Sequence, residues 1–296
     1  MTTTATASDS GPNIATMREQ SDRWVNLALS TPAILTIAVV VFLPILWLGW
    51  MSFFNAAGQL TTENYARIWE SDLYLETFII TFKISLTVTV LCALLGYPLA
   101  YTLTRLPSTA AAIGMICVLI PFWTAILVRT YAWLVLLQRK GVINSILLQS
   151  GLIEEPLQLA HNMTGSIIGM VHVMLPFLVL PVYATMKSID QDLLRASQSM
   201  GASPTESFWR VFFPMSLPGL FAGVVMVFVL SLGFFTTPAL LGGGRVQMLA
   251  QRIESSVTLY ANWGAASALG VVLIVIAFAC IALLNKVFGL DRLFVK

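Results

Sequence analysis

Six apolar runs, each long enough to cross a bilayer, take up most of this chain. They lie near residues 31–53, 77–104, 110–137, 164–186, 215–240 and 263–288. A hydrocarbon core about 30 Å thick needs roughly 20 apolar residues of helix to span it. Inside it the backbone must satisfy its own polar groups, which a helix does and an open strand does not. The composition agrees: 57% of the 296 residues are hydrophobic and 10% are charged, against about a quarter charged in a soluble domain. The expected fold is an all-α integral membrane protein with six transmembrane helices. Residues 1–26 are polar and rich in Thr, Ser and Ala, which predicts a disordered cytoplasmic tail ahead of a six-span domain over 27–296.

Lys and Arg placement orients the spans. With the N-terminus inside, the cytoplasmic set is Arg18, Arg23, Arg105, Lys187, Arg195, Arg210, Lys286, Arg292 and Lys296. The outer set is Arg67, Arg139, Lys140, Arg245 and Arg252, so nine cations stand against five. Both termini are expected in the cytoplasm. A net charge of +2 with no basic run gives nucleic acid nothing to bind.

The polar island 188–214, SIDQDLLRASQSMGASPTESFWRVFFP, interrupts the apolar runs on the cytoplasmic side. It reads as two short helices around a glycine corner. Ser188 with Gln191, and Ser203 with Glu206, have the spacing of capping boxes. Asp190 and Asp192 suit the first turn of a helix, Gly201 a left-handed corner, and Pro204 a first helical position.

Catalytic chemistry is not legible. There is no GxxxxGK[ST] phosphate loop, no HExxH, no GxSxG and no carboxylate pair inside a span. Gly242, Gly243 and Gly244 read as a flexible turn at a span end. Cys92, Cys117 and Cys280 lack metal or CxxC spacing and read as small core residues. The chain is therefore expected to be no enzyme, with no metal and no bound cofactor. His161 reads as a loop residue and His172 as a hydrogen-bonded interior group or part of a cavity. Lys83 and Arg129 are the ionisable residues inside spans; each either snorkels to an interface or lines a path. Pro176 and Pro181 predict a kink or local unwinding in the fourth span. Short amphipathic helices are expected in the outer loops, over TTENYARIWES and GVINSILLQSGLIEEP.

The island resembles the signature of type I ABC importer permeases: Arg195-Ala196-Ser197, three residues, Gly201-Ala202, then Phe208, Val211 and Pro214. PFWTAILVRTYAW (121–133), LTTENYARIW (60–69) and TPALLGG (237–243) are similar to the spermidine/putrescine branch of that family. The resemblance implies the type I permease fold, with 188–214 as the cytoplasmic coupling helix. It assigns coupling to Arg195, Ala196, Ser197, Gly201, Ala202, Ser203, Pro204, Glu206 and Phe208. It implies partner ATPase subunits carrying ATP and Mg, a second permease subunit in a heterodimer, and a periplasmic binding protein delivering a polyamine, amino-acid derivative or opine across a bacterial inner membrane. The chain departs from the pattern at Arg195, where the family has Glu, and at Ser197, where it has Ala. Path candidates are Trp123, Arg129, Tyr131, Trp133, His172, Phe234 and Phe235: aromatic faces with a cation and no carboxylate. An ion-coupled carrier would be expected to have an intramembrane carboxylate, and none is present; a membrane scaffold leaves the island unexplained.

Overall fold

The structure, a computed structural model, describes residues 14–288. The first half of the expected tail (1–13), together with Arg292 and Lys296, lies outside the described residues. The chain divides into two units at Met51 and Ser52. The first is α1 (Ile14–Met51), a helix whose 22 residues from Ser30 to Met51 are apolar enough to span a membrane. Thr36 Oγ1 donates to the Pro32 carbonyl one turn earlier (2.8 Å).

The second unit, 52–296, begins with α2 (Glu63–Glu70). Asn64, the second residue of α2, is buried and donates to the carbonyls of Ser52 and Phe54 (2.9 Å each), which ties the preceding loop to the helix. Then come α3 (Asp72–Arg105), α4 (Ser108–Trp123), α5 (Ile126–Leu137), α6 (Val142–Gln149) and α7 (Met163–Ser188). Next are α8 (Gln191–Ser199), α9 (Pro204–Ser207), a π turn (Phe208–Phe212) and α10 (Phe213–Leu232). The unit ends with α11 (Thr236–Leu241), α12 (Leu249–Thr258) and α13 (Trp263–Phe288).

The centre of this unit is the triple contact of α3, α7 and α10, where Ile84, Val88, Cys92, Met174, Leu178 and Val227 share one core. Small residues set the spacing. A Cβ on Gly219 would come within 2.7 Å of the Pro181 carbonyl oxygen, and one on Gly223 within 3.1 Å of the Leu178 backbone. Several threonines inside the helices bond back to their own turn, as Thr81 does to Thr77 and Thr89 to Ser85. Thr81 Oγ1 also accepts from the Leu249 amide (2.9 Å), which ties α12 to α3. A smaller core joins α2, α12 and α13 through Ile68, Leu249, Ala268 and Leu269.

The expected spans need three corrections. Residues 110–137 are not one straight helix: α4 and the helical stretch after it, taken as Ile126–Gln149, meet at 101°. Thr124 and Ala125 are extended at the break, and Thr124 Oγ1 takes the Pro121 carbonyl (3.2 Å) that a continuing helix would use. Among the described residues, five helices are long and apolar enough to cross a membrane, and six if that bent pair is one span. The run 215–240 also breaks, ending α10 at Gly233 before α11 begins. Conversely, α7 passes through Pro176 and Pro181 as one helix, without unwinding.

The cysteines differ from expectation as well. Cys92 is buried, but Cys117 is exposed and Cys280 half-buried. The apolar pattern that placed them inside is all-round, so it does not separate a helix–helix face from a lipid face.

Candidate functional site

The 188–214 segment forms two helices at a fixed corner, and each end has an identifiable physical cause. Asp190, not Ser188, caps α8: its carboxylate accepts from the Asp192 amide (2.9 Å). Ser188 is the last residue of α7 and donates to the Thr185 carbonyl, while Gln191 reaches Ile189 O rather than closing a box. The helix ends in a Schellman motif, with Ala202 N–H donating to Ser197 O and Gly201 N–H to Gln198 O. Gly201 sits at φ +93°, a conformation that costs a side-chain-bearing residue about 1–2 kcal/mol.

Ser203 then caps α9, accepting from the Glu206 amide (3.2 Å), and Pro204 takes the first helical position. The second expected capping box is only half present, because the Glu206 carboxylate pairs with Arg210 (2.9 Å) instead of turning back. The π turn follows directly. Phe213 N–H donates to Phe208 O, one residue wider than an α-helical bond. The wide turn gives room ahead of Pro214, whose ring would press on the carbonyl four residues earlier.

The corner is bolted to the body of the unit. Ile189, Leu194 and Phe212 are buried in the same core as Ala100, Leu103 and Met186. Burial of Leu194 and Phe212 contributes about 1.5–3 kcal/mol each. Tyr101 meets Phe208 and Phe212 edge-on (5.2 and 5.3 Å), and Tyr97 shares a hydrogen bond with Ser216 (2.8 Å). Ser197 Oγ, buried, lies 2.7 Å from Ser207 Oγ and 2.8 Å from Leu194 O, linking α8 to α9. Ala196 stays exposed and Ala202 half-buried. Arg195 is 80% exposed and pairs with Asp192 (3.1 Å), and Met200 at the tip is 83% exposed.

Of the path candidates, the structure brings together three. Trp133 Nε1 donates to His172 Nδ1 (3.1 Å), which places the neutral ring's proton on Nε2. Arg129 lies one turn before Trp133 on α5, half-buried, with its Nε buried and without a hydrogen-bond partner. Thr130 on α5 approaches Thr237 on α11 (3.4 Å) beside them. Trp123 is 90% exposed at the α4–α5 break, and Tyr131 and Phe235 are also exposed. Phe234 packs against the central core. Lys83 is exposed, and His161 sits in a loop at φ +58°, tight against Gly243.

Sequence reasoning missed Arg105 as part of the corner. Its guanidinium lies over the rings of Tyr101 (5.1 Å), one turn earlier on α3, and Phe212 (5.6 Å), the latter a contact made across more than a hundred residues. It also missed Asn144, fully buried after α5, which bonds Gln138 O and both polar groups of Leu157 and so closes the α6 loop. The helix α12 went unread because its sequence, LAQRIESSVT, is polar and short.

Apolar helices long enough to span a membrane, a rigid polar corner and a polar cluster around a half-buried arginine make up the candidate site. The family model for the "binding-protein-dependent transport system inner membrane component" matches residues 15–289, and the chain belongs to that family. The spermidine/putrescine transport system permease protein PotB of Haemophilus influenzae is 32% identical over 74% of this chain and 77% of its own length. PotB of Escherichia coli K12 is 30% identical over 81% of this chain and 89% of its own. In fold, the chain is similar to a crystal structure of a bacterial ABC transporter involved in the import of the acidic polysaccharide alginate, with TM-score 0.69, 18% identity and coverage of 95% and 100%.

Proposed function

We propose that this chain is the permease subunit of an ATP-driven importer and that its 188–214 corner is the coupling helix, docking on a separate ATPase subunit in the cytoplasm. The observation that carries the reading is the corner's attachment: Leu194 and Phe212 belong to the same core as α3 and α7. A push on the corner is therefore a push on the spans. ATP binding would draw the two coupling helices of a permease pair together and open the bundle outward. A periplasmic binding protein would then release its cargo, and hydrolysis would return the bundle inward. Clustered cations support a cytoplasmic corner: Arg105 ends α3, Lys187 lies in the last turn of α7, and Arg195 and Arg210 flank the corner.

The relatives' names support a polyamine such as spermidine or putrescine as cargo, with Trp133 and neighbouring aromatics offering faces to a cation. A second reading rests on Arg129: a half-buried guanidinium with an unpartnered Nε favours cargo that carries a carboxylate, as amino-acid derivatives and opines do. Uptake of labelled putrescine into right-side-out vesicles separates the possibilities. Uptake should stop on ATP depletion and survive collapse of the ion gradients. Uptake that follows the gradient and ignores ATP would sink the importer reading. ATP-dependent uptake of a labelled opine, with no uptake of putrescine or spermidine, would replace the polyamine reading with the second.

A further inference from the structure

A cleft of about 490 Å³ opens between the end of α3 and the two corner helices. Two guanidiniums, Arg105 and Arg195, and two amides, Gln191 and Gln198, line it, and no carboxylate is among its lining residues. Arg105 is held in place by the Tyr101 and Phe212 rings beneath it. The ionic partner of Arg195, Asp192, lies on the same face of α8, and both side chains are more than three-quarters exposed. Such a pair is worth little and is screened by salt. Of the other carboxylates of the corner, Glu206 is taken by Arg210 and Asp190 caps α8 through the Asp192 amide. Two like charges facing one cleft repel unless an anion enters between them.

We propose that this cleft receives an aspartate or glutamate side chain of the ATPase subunit, and that Arg195 thereby selects which ATPase can dock. The proposal rests on the importer reading above. Two features favour a protein carboxylate as occupant. The cleft is built from the corner itself, through Leu194 and Arg195 of α8 and Pro204 and Ser207 of α9, so it continues the surface assigned to the ATPase. Its charge is complementary to a carboxylate, and its amides can hold the second oxygen. A partner presenting arginine or lysine there would meet two guanidiniums, a repulsion that rejects ATPases of the opposite charge pattern.

The test uses the complex purified in detergent from its source cells. In an Asp192→Asn/Arg195→Lys double variant, the new amine has no neighbouring carboxylate on its own helix. A water-soluble carbodiimide then joins that amine to a carboxylate in contact with it, forming an amide as the carbodiimide takes up the water and becomes a urea. The expected product is an amide crosslink from position 195 to an aspartate or glutamate of the ATPase, absent when Arg195 is retained. Absence of that crosslink while the ATPase remains bound, or an adduct with phosphatidylserine instead, would overturn the proposal and leave the importer reading standing. Failure of any ATPase to co-purify with the unaltered chain would bring down both. As a second measurement, Arg195→Glu should weaken ATPase association at least about tenfold at ~0.1 M salt, while Arg195→Lys stays within about threefold. Equal association of the two variants would also overturn it. Because Arg195 is 80% exposed, neither change threatens folding.

Discussion

At the corner between α8 and α9, the hydroxyls of Ser197 and Ser207 meet at 2.7 Å, and both residues are buried. The family pattern's alanine at that position has no group to make this bond, so the serine is read as a local fastening. Ser197→Ala should lower the melting temperature in detergent by the equivalent of about 1–2 kcal/mol, since Ser207 would be left buried without its partner; an unchanged melt would remove the fastening role. A double-mutant cycle on Trp133→Phe and His172→Phe should give a coupling energy of about 1 kcal/mol, the worth of their hydrogen bond. Additive effects would show that the two residues are independent. At this scale the sequence was partly readable. Gly201, Ser203 and Pro204 declare their roles because each acts on backbone within three residues of itself. Asp190 displaced Ser188 as cap because Ile189 is buried in the core, which carries α7 on through Ser188. The pairings of Ser197 with Ser207 and Arg105 with Phe212 depend on which faces meet, and no local pattern carries that.

At the scale of elements, the glycine corner and the close approach of α7 to α10 make opposite predictions. Gly201 has open space around it and a positive φ. Gly201→Val should leave membrane insertion and the span core intact while reducing ATPase co-purification, because a β-branched residue resists the left-handed turn. Retained co-purification would detach the corner from the coupling role. Gly219 is the converse case, held at ordinary backbone angles with no room for a side chain beside Pro181. Gly219→Val should cost about 1–3 kcal/mol of thermal stability by forcing α7 and α10 apart, and a melt equal to the parent's would show that the helices can yield. Span existence was legible from hydropathy alone, as for α3, α7 and α13. Span continuity was not: the breaks at Thr124 and Gly233 sit inside runs whose apolar character does not change, so composition passes over them.

For the whole molecule, the proposed orientation can be measured directly. Met200→Cys, in a background lacking Cys92, Cys117 and Cys280, should react with an impermeant maleimide in inside-out vesicles and not in right-side-out ones; the reverse pattern would invert the topology. Charge placement made that expectation possible, whereas the triple core of α3, α7 and α10 was invisible because any two of the apolar helices could have been neighbours. That core gives the corner a mechanical character. A loop tethered at its ends would dissipate a displacement by bending, but a capped helix pair sharing side chains with two spans has no slack to absorb one. On the importer reading, force arriving near Met200 is expected to appear as rotation of the three helices together. Spin labels at Met200 and near Met163, at the far end of α7, should keep one distance through the nucleotide cycle, as two marks on the same lever do.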